Sequence, residues 1–395
     1  MDVARGQRIA VIDALRGVAI GLVVWYHIWQ ISWQPAIIPF TGISLQAFAE
    51  SGFLGVALFF FISGFVLMLP YVEAPLLGRP APTLQHFFTR RFLKIVPSYV
   101  FCIIVLLALG YQHYSTVTAA IKDVAFHLFF IHGWFSATNG TINGVMWSLA
   151  AEVQFYLVFP LILIAFTWRP IATSIVLFVI ANAWRLWCLF SNHYFFELRL
   201  QQLPAQLDFF AAGMLSAYAY AVISSRLSIL PKHRWAAFAL MSAGIVGFVL
   251  VVNDCYVHRQ ATEWPFVWEV QWRSVCALLF AAISLGMLFT FRAVQSAVAN
   301  RILIFYAMIS YNLYLWHQPV ARALLKFHVP NFVAKDPHND SRWQIAFSLV
   351  AIIATTIVGW LVTIGVERPF LRIDRTIRSY RPSIAALVRE KLRLR

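Results

Sequence analysis

Apolar positions along the chain come in blocks of about twenty residues, separated by short polar stretches. A helix needs about 20 mostly apolar residues to cross the hydrocarbon core of a bilayer. Blocks of that kind lie at roughly 9–33, 52–71, 95–112, 147–166, 171–190, 205–224, 236–252, 272–291, 302–326 and 343–365. They predict an all-α polytopic membrane protein of about ten transmembrane helices. A further run at 122–138 is shorter and interrupted by His127, His132 and Gly133. It predicts a re-entrant or half-depth segment, which is tolerated where protein rather than lipid surrounds the backbone. The first run contains Arg16 and ends without a small-residue cleavage site, so it reads as a retained span rather than a signal peptide. With no repeat and no low-complexity linker, residues 1–366 are expected to form one transmembrane domain, followed by a basic tail over 367–395.

Composition agrees. Of the 395 residues, 61% are hydrophobic and 12% charged, about half the charged share of a soluble domain. The net charge of +15 would suggest nucleic acid in a soluble protein. Here its placement matters more. The tail after Val366 carries Arg368, Arg372, Arg375, Arg378, Arg381, Arg389, Lys391, Arg393 and Arg395, and Arg5 and Arg8 sit at the other end. The predicted outer loops hold only Lys122, Arg199, Arg259, Lys335 and Arg342. By the positive-inside rule both termini are expected in the cytoplasm, and the charge is topological, with no nucleic-acid partner. The four cysteines form no C-x-x-C pair, so neither a metal site nor a disulfide framework is expected.

Ionisable side chains inside a span are costly and mark either function or a compensating partner. Arg16 and His27 are 11 residues apart, which returns a helix to within about 20° of the same face and about 16 Å along it. Arg16 could instead snorkel and pair with Asp13, with His27 a bonded core histidine. Ser148, Glu152 and Tyr156 follow i, i+4, i+8 and share a face behind Trp147; His27 is a plausible partner for the carboxylate, and a packing network is the alternative. Ser63-Gly64 is a small pair among phenylalanines, suited to close helix approach or to a ligand. Arg90, Arg91 and Lys94 open a helix on the predicted inner side, where they could hold phosphate or simply meet anionic lipid. Ser310, Tyr314 and His317 share a face that could line a polar cavity or belong to an aromatic belt.

Taken in order, these elements resemble the integral-membrane acyltransferase family 3, the O-acetyltransferase-like membrane acyltransferases, over nearly the whole chain. Ile12-Asp13-Ala14-Leu15-Arg16-Gly17 with His27 is similar to the family's R-x10-H signature. Phe60-Phe61-Ile62-Ser63-Gly64, the run from Arg90 to Pro97, Trp147-Ser148-Leu149 with Glu152, the run from Ser310 to His317 and the closing Glu367-Arg368-Pro369 resemble its further motifs. Lys94 stands where the family commonly has arginine; it keeps the charge but lacks the planar fork.

The resemblance implies transfer of an acyl group, usually acetyl, from cytosolic acyl-CoA to a hydroxyl of an extracytoplasmic glycan or related cell-envelope acceptor. It implies a multi-pass protein of the cytoplasmic membrane with no bound cofactor. Acetyl-CoA would be the donor substrate, and a second acyltransferase or a glycan-export machine a candidate partner. It makes His27 and Glu152 the expected catalytic pair, with Glu152 orienting the imidazole. Arg16, Ser63, Arg90, Arg91, Lys94, Trp147, Ser148, Tyr314 and His317 become expected substrate contacts. Some relatives carry a fused extracytoplasmic hydrolase-like domain, for which this sequence is expected to be too short. The same residue types would also serve a proton-coupled transporter, although no glycine-interrupted segments recur in two matching halves.

Overall fold

The structure, a computed structural model, describes residues 2–38, 41–191, 196–226, 231–258, 264–332 and 337–373. The side chains of Arg5 and Arg8, the loop residues Arg259 and Lys335, and the basic tail from Arg375 to Arg395 lie outside the described residues. In chain order the helices are α1 (Asp2–Ser32), α2 (Gln46–Glu50), α3 (Leu54–Leu76), α4 (Leu84–Ala108), α5 (Val117–Leu128), α6 (Met146–Trp168), α7 (Pro170–Phe190) and α8 (Phe196–Leu200). They continue with α9 (Leu207–Arg226), α10 (Pro231–His258), α11 (Trp264–Gln271), α12 (Arg273–Phe289), α13 (Arg292–Val298), α14 (Arg301–Lys326) and α15 (Ser341–Val362).

All ten predicted runs are helices. Among the described residues, eight helices are long and apolar enough to cross a membrane, and nine if the α12–α13 pair, bent by 119°, counts as one span. α14 has the length, 26 residues or about 39 Å, but one of its faces carries Ser310, Tyr314 and His317 and the opposite face Asn312, all buried inside the bundle. The weak run behaves as its interruptions suggest. α5 has 12 residues, about 18 Å and too short to span. The chain then turns back through a single 3-10 turn at His132–Trp134. Gln154 of α6 seats that turn, accepting from the indole of Trp134 (3.2 Å) and donating to the Phe130 carbonyl (2.7 Å). Asp123 accepts from Tyr114 (2.7 Å) and Thr141 (2.8 Å) across the same segment. Burial alone would raise its pKa, but these bonds and the one from His127 hold it below the usual carboxylate value.

Helix ends follow their capping chemistry. α4 starts eleven residues ahead of the apolar run because Thr83 caps it, its hydroxyl accepting from the His86 amide (3.3 Å). This puts Arg90, Arg91 and Lys94 inside a helix rather than in a loop. Asn300 caps α14, accepting from the amides of Ile302 (3.0 Å) and Leu303 (2.9 Å).

Packing brings α3 against α9, α1 against α14 and α3, and α14 against α15. The α3–α9 contact is backbone on backbone. A Cβ on Gly64 would collide with the Phe210 carbonyl, and one on Gly213 with the Phe61 carbonyl. Without a hydrophobic force between helices in lipid, such close approach supplies the van der Waals contact that holds them. Gly17 does the same for α1 against Leu303 of α14.

Past α15 the chain makes one π turn at Thr363–Glu367 before continuing as helix. The extra residue in such a turn re-aims side chains. It carries Glu367, 3% exposed, against Lys94 of α4 and Asn312 of α14 (2.7 Å).

Candidate active site

Two cavities lie back to back between α1, α3, α6 and α14. The first, about 440 Å³, is lined by Arg16, Ser63, Arg90, Arg91, Lys94, Ser148, Glu152, Tyr156 and Tyr314 among others. The second, about 480 Å³, is lined by His27, Trp147, Tyr314 and a set of amide and carboxyl side chains. Val56 and Tyr314 border both, so they form the partition. The face of α1 that carries Arg16 and His27 therefore serves both chambers, one from each end.

Tyr314 is held in the partition by its polar end. Its hydroxyl lies 2.6 Å from the Ser148 hydroxyl and donates to the Val145 carbonyl (3.1 Å), while Phe59 packs edge-on against its ring. A tyrosine this buried needs partners for its hydroxyl, and the fourth span supplies both.

The sequence reading offered Glu152 as the partner of His27. The structure pairs them otherwise. Glu152 accepts from Ser63 (2.8 Å) and from Tyr156, and faces the first cavity. Arg91 sits over the Tyr156 ring, 5.3 Å from its centre. His27 instead bonds His317, with Nδ1 2.9 Å from His317 Nε2.

The partners assign the tautomers. His317 Nδ1 lies 2.7 Å from the Tyr314 carbonyl and 3.2 Å from the Leu313 carbonyl. Carbonyls only accept, so Nδ1 carries the proton and Nε2 of the neutral ring is left as an acceptor. It takes the proton of His27 Nδ1, which also points at the Val23 carbonyl (3.0 Å). His27 is thereby left with its lone pair on Nε2, in the ring that lines the second cavity. That is the form a general base needs, fixed by a second imidazole where a triad would use a carboxylate.

Pro319 shapes this end of α14. It has no N–H for the Leu315 carbonyl, and Asn143 donates to that carbonyl instead (2.7 Å). His317, two residues before the proline, is completely buried.

In the first cavity the cations differ in how far they are already engaged. Lys94 is met by Glu367, which Asn312 also holds, and lies 5.8 Å from the Tyr311 ring centre. Among the described residues Arg16 has a loose contact with Asp13, 3.6 Å between half-exposed groups. Such a pair is worth little. All the expected site residues thus fall on one cavity, the other or the link behind His27. Glu367, seen in the sequence only as part of a closing motif, has a partner 273 residues away. Ser51, Trp268, Glu269 and Arg273 of the second cavity gave no pattern in the sequence beyond a charge inside a span.

The family described as acyltransferase domain matches residues 9–364. The chain is similar to a candidate O-acetyltransferase of Staphylococcus aureus strain COL, 21% identical over 407 residues, covering 94% of this chain and 59% of that protein. It is also similar to the O-acetyltransferase OatA of Staphylococcus aureus strain NCTC 8325 / PS 47, 24% identical over 339 residues, covering 80% of this chain and 51% of that protein. The chain thus spans between half and three-fifths of the length of these curated relatives. No solved structure matches it. A multi-pass membrane protein matched by this family over nearly its whole length, the chain belongs to the integral-membrane acyltransferase family 3.

Proposed function

We propose that the chain is an O-acyltransferase of the cytoplasmic membrane that moves an acyl group, acetyl first, from acyl-CoA to a hydroxyl of an extracytoplasmic glycan or related cell-envelope acceptor. The observation that carries this reading is the pair of cavities meeting at Tyr314, one lined by guanidinium groups and the other by an imidazole with an assigned lone pair. Both termini are then cytoplasmic, and the first cavity opens inward.

Arg16, Arg90 and Arg91 would hold the phosphates of CoA, for which guanidinium suits better than ammonium. Lys94, engaged by Glu367, would fix the wall that presents them. The thioester would reach the partition at Val56 and Tyr314. There His27 Nε2 takes the proton of the acceptor hydroxyl as its oxygen attacks the thioester carbonyl. The tetrahedral adduct collapses with cleavage of the C–S bond, and the sulfur leaves with the proton returned by the imidazolium. His317 accepts from His27 Nδ1 throughout and stabilises the charged ring. Glu152, with Ser63 and Tyr156, would shape the donor side. The product chemistry requires no bound cofactor; acyl-CoA is consumed as substrate.

The test is purified protein with radiolabelled acetyl-CoA and a glycan mixture. Label is expected on glycan, and His27→Ala should abolish transfer while the protein still inserts. Undiminished transfer by that variant would remove His27 from the chemistry. Flux of substrate across vesicles without covalent label would instead favour a carrier.

A further inference from the structure

We infer that Asn143 is a positioning residue: it fixes the stretch of α14 that carries Tyr314 and His317, and through His317 it places the His27 imidazole. Its part in acyl transfer rests on the acyltransferase reading above. Asn143 lies in the return from the re-entrant segment to α6 and is 3% exposed. It lines neither cavity, so it is placed to act through other residues rather than on a substrate. Its Nδ2 donates to the Leu315 carbonyl (2.7 Å). α14 cannot satisfy that carbonyl itself, because the residue four positions on is Pro319. A buried carbonyl without a donor is costly, and a helix relieves it by kinking or by admitting water. Here the donor comes from a different segment, so the bond fixes position as well. Leu315 sits between Tyr314, which divides the two cavities, and His317, whose Nε2 accepts from His27. A second bond from the same segment lands one residue away, where the Val145 carbonyl accepts from the Tyr314 hydroxyl (3.1 Å). Residues 143–145 thus grip α14 by its backbone at Leu315 and by a side chain at Tyr314.

The segment is stiff enough to act as a fixed arm. Thr141 is anchored on Asp123 of α5 (2.8 Å). The Asn143 amide turns back to the Thr141 carbonyl across Ile142. Ile142 has φ 50°, which places a β-branched residue in the left-handed region. For such a residue this is an outlier that costs energy. Ile142 is 2% exposed, so packing holds the turn in place. Strain of this kind persists where the surroundings over-determine it, and it gathers at functional sites. What this strained turn delivers is the Asn143 side chain to Leu315.

The experiment is a double-mutant cycle between Asn143 and His317, in the full chain in detergent, with radiolabelled acetyl-CoA as donor and methyl β-glucoside as acceptor. CoA release gives kcat, whether the glucoside or water takes the acyl group. Asn143→Ala should lower kcat about five- to twenty-fold, no further than His317→Phe, and leave the KM for acetyl-CoA within about two-fold. In the His317→Phe background the same change should lower kcat by less than about two-fold, because the path it acts through is already cut. A purely structural role would multiply the two losses. Solid-state NMR of protein carrying isotope-labelled histidine reads the geometry without turnover. The unaltered protein should show coupling between His27 Nδ1 and His317 Nε2 across their shared proton, and Asn143→Ala should lose it. Where Asn143→Ala lowers the yield of inserted protein, Asn143→Ser, polar but too short to reach Leu315, takes its place. Multiplied losses of kcat, no histidine coupling in the unaltered protein, or coupling unchanged in the Asn143 variant overturns the assignment. If the unaltered protein neither releases CoA nor labels an acceptor, the acyltransferase reading fails, while the NMR comparison still decides whether Asn143 places the histidine pair.

Discussion

The link from His317 to His27 makes a quantitative prediction. His317→Phe keeps a planar ring in a fully buried position but removes the acceptor 2.9 Å from His27 Nδ1. Two effects follow. In the resting enzyme the Nδ1 proton keeps one acceptor, the Val23 carbonyl at 3.0 Å, so the useful tautomer persists. In the proposed transition state the His27 ring becomes charged, and a hydrogen bond to a charged group contributes about 1.5–3 kcal/mol. At 1.36 kcal/mol per tenfold, kcat should fall about 10- to 100-fold. Because Val23 remains, the loss should stay smaller than that of His27→Ala. KM for acetyl-CoA should be unchanged, since His317 lines neither cavity. Steady-state acetyl transfer by purified protein, with a thermal unfolding midpoint to confirm an intact fold, reads this directly. A kcat within two-fold of the parent would refute the orienting role. A loss as complete as that of His27→Ala would mean that His317 itself handles the proton.

Two further outcomes follow from the first cavity. Lys94→Met strands the buried Glu367 carboxylate and should destabilise the protein by about 3–5 kcal/mol, while the double variant Lys94→Met, Glu367→Gln should recover most of it in thermal unfolding; failure of the second change to rescue would deny the strut. Arg91→Ala should raise the KM for acetyl-CoA about ten-fold, a charge-assisted contact or less, with a weaker effect on a CoA-free thioester such as an N-acetylcysteamine ester; equal effects on both donors would remove Arg91 from phosphate binding.

Much of this was legible in the sequence because each signal was local. Twenty-residue apolar blocks marked every long helix, α14 included. Eleven-residue spacing put Arg16 and His27 on one face, where both indeed reach cavities. Short helices such as α2 (Gln46–Glu50) and α11 (Trp264–Gln271) escaped because they are shorter than any hydropathy window. Pairings escaped for a different reason. Spacing fixes the face of a helix that a residue occupies, but not how that helix is rotated against its neighbours. The rotation of α6 turns Glu152 to Ser63 of α3, and the open position beside His27 goes to a residue 290 positions later. The Lys94–Glu367 contact likewise depends on a π turn that no periodicity announces.

The same limit explains why an intramembrane arginine is an ambiguous signal until its partners are known. Arg185 and Arg16 look alike in sequence, each a lone cation in an apolar run. Arg185 is fully buried and four of its five N–H groups are engaged, bonding Asp208 (2.6 Å), the Ala205 carbonyl (2.6 and 3.0 Å) and Ser274 (3.2 Å). It lines neither cavity, and it ties α7 to α9. Arg16 faces a cavity and, among the described residues, makes a loose contact to Asp13. The degree of engagement therefore separates a structural charge from one that the proposed donor path can use. Arg185→Met should leave Asp208 buried without its cation, costing about 3–5 kcal/mol and lowering the yield of folded protein. Arg16→Met should cost under about 1 kcal/mol, leave the unfolding midpoint near that of the parent, and still impair acyl-CoA use. Measuring the midpoint and the acetyl-CoA KM for both variants decides it, and a stable Arg185→Met beside an unfolded Arg16→Met would reverse the assignment of the two arginines.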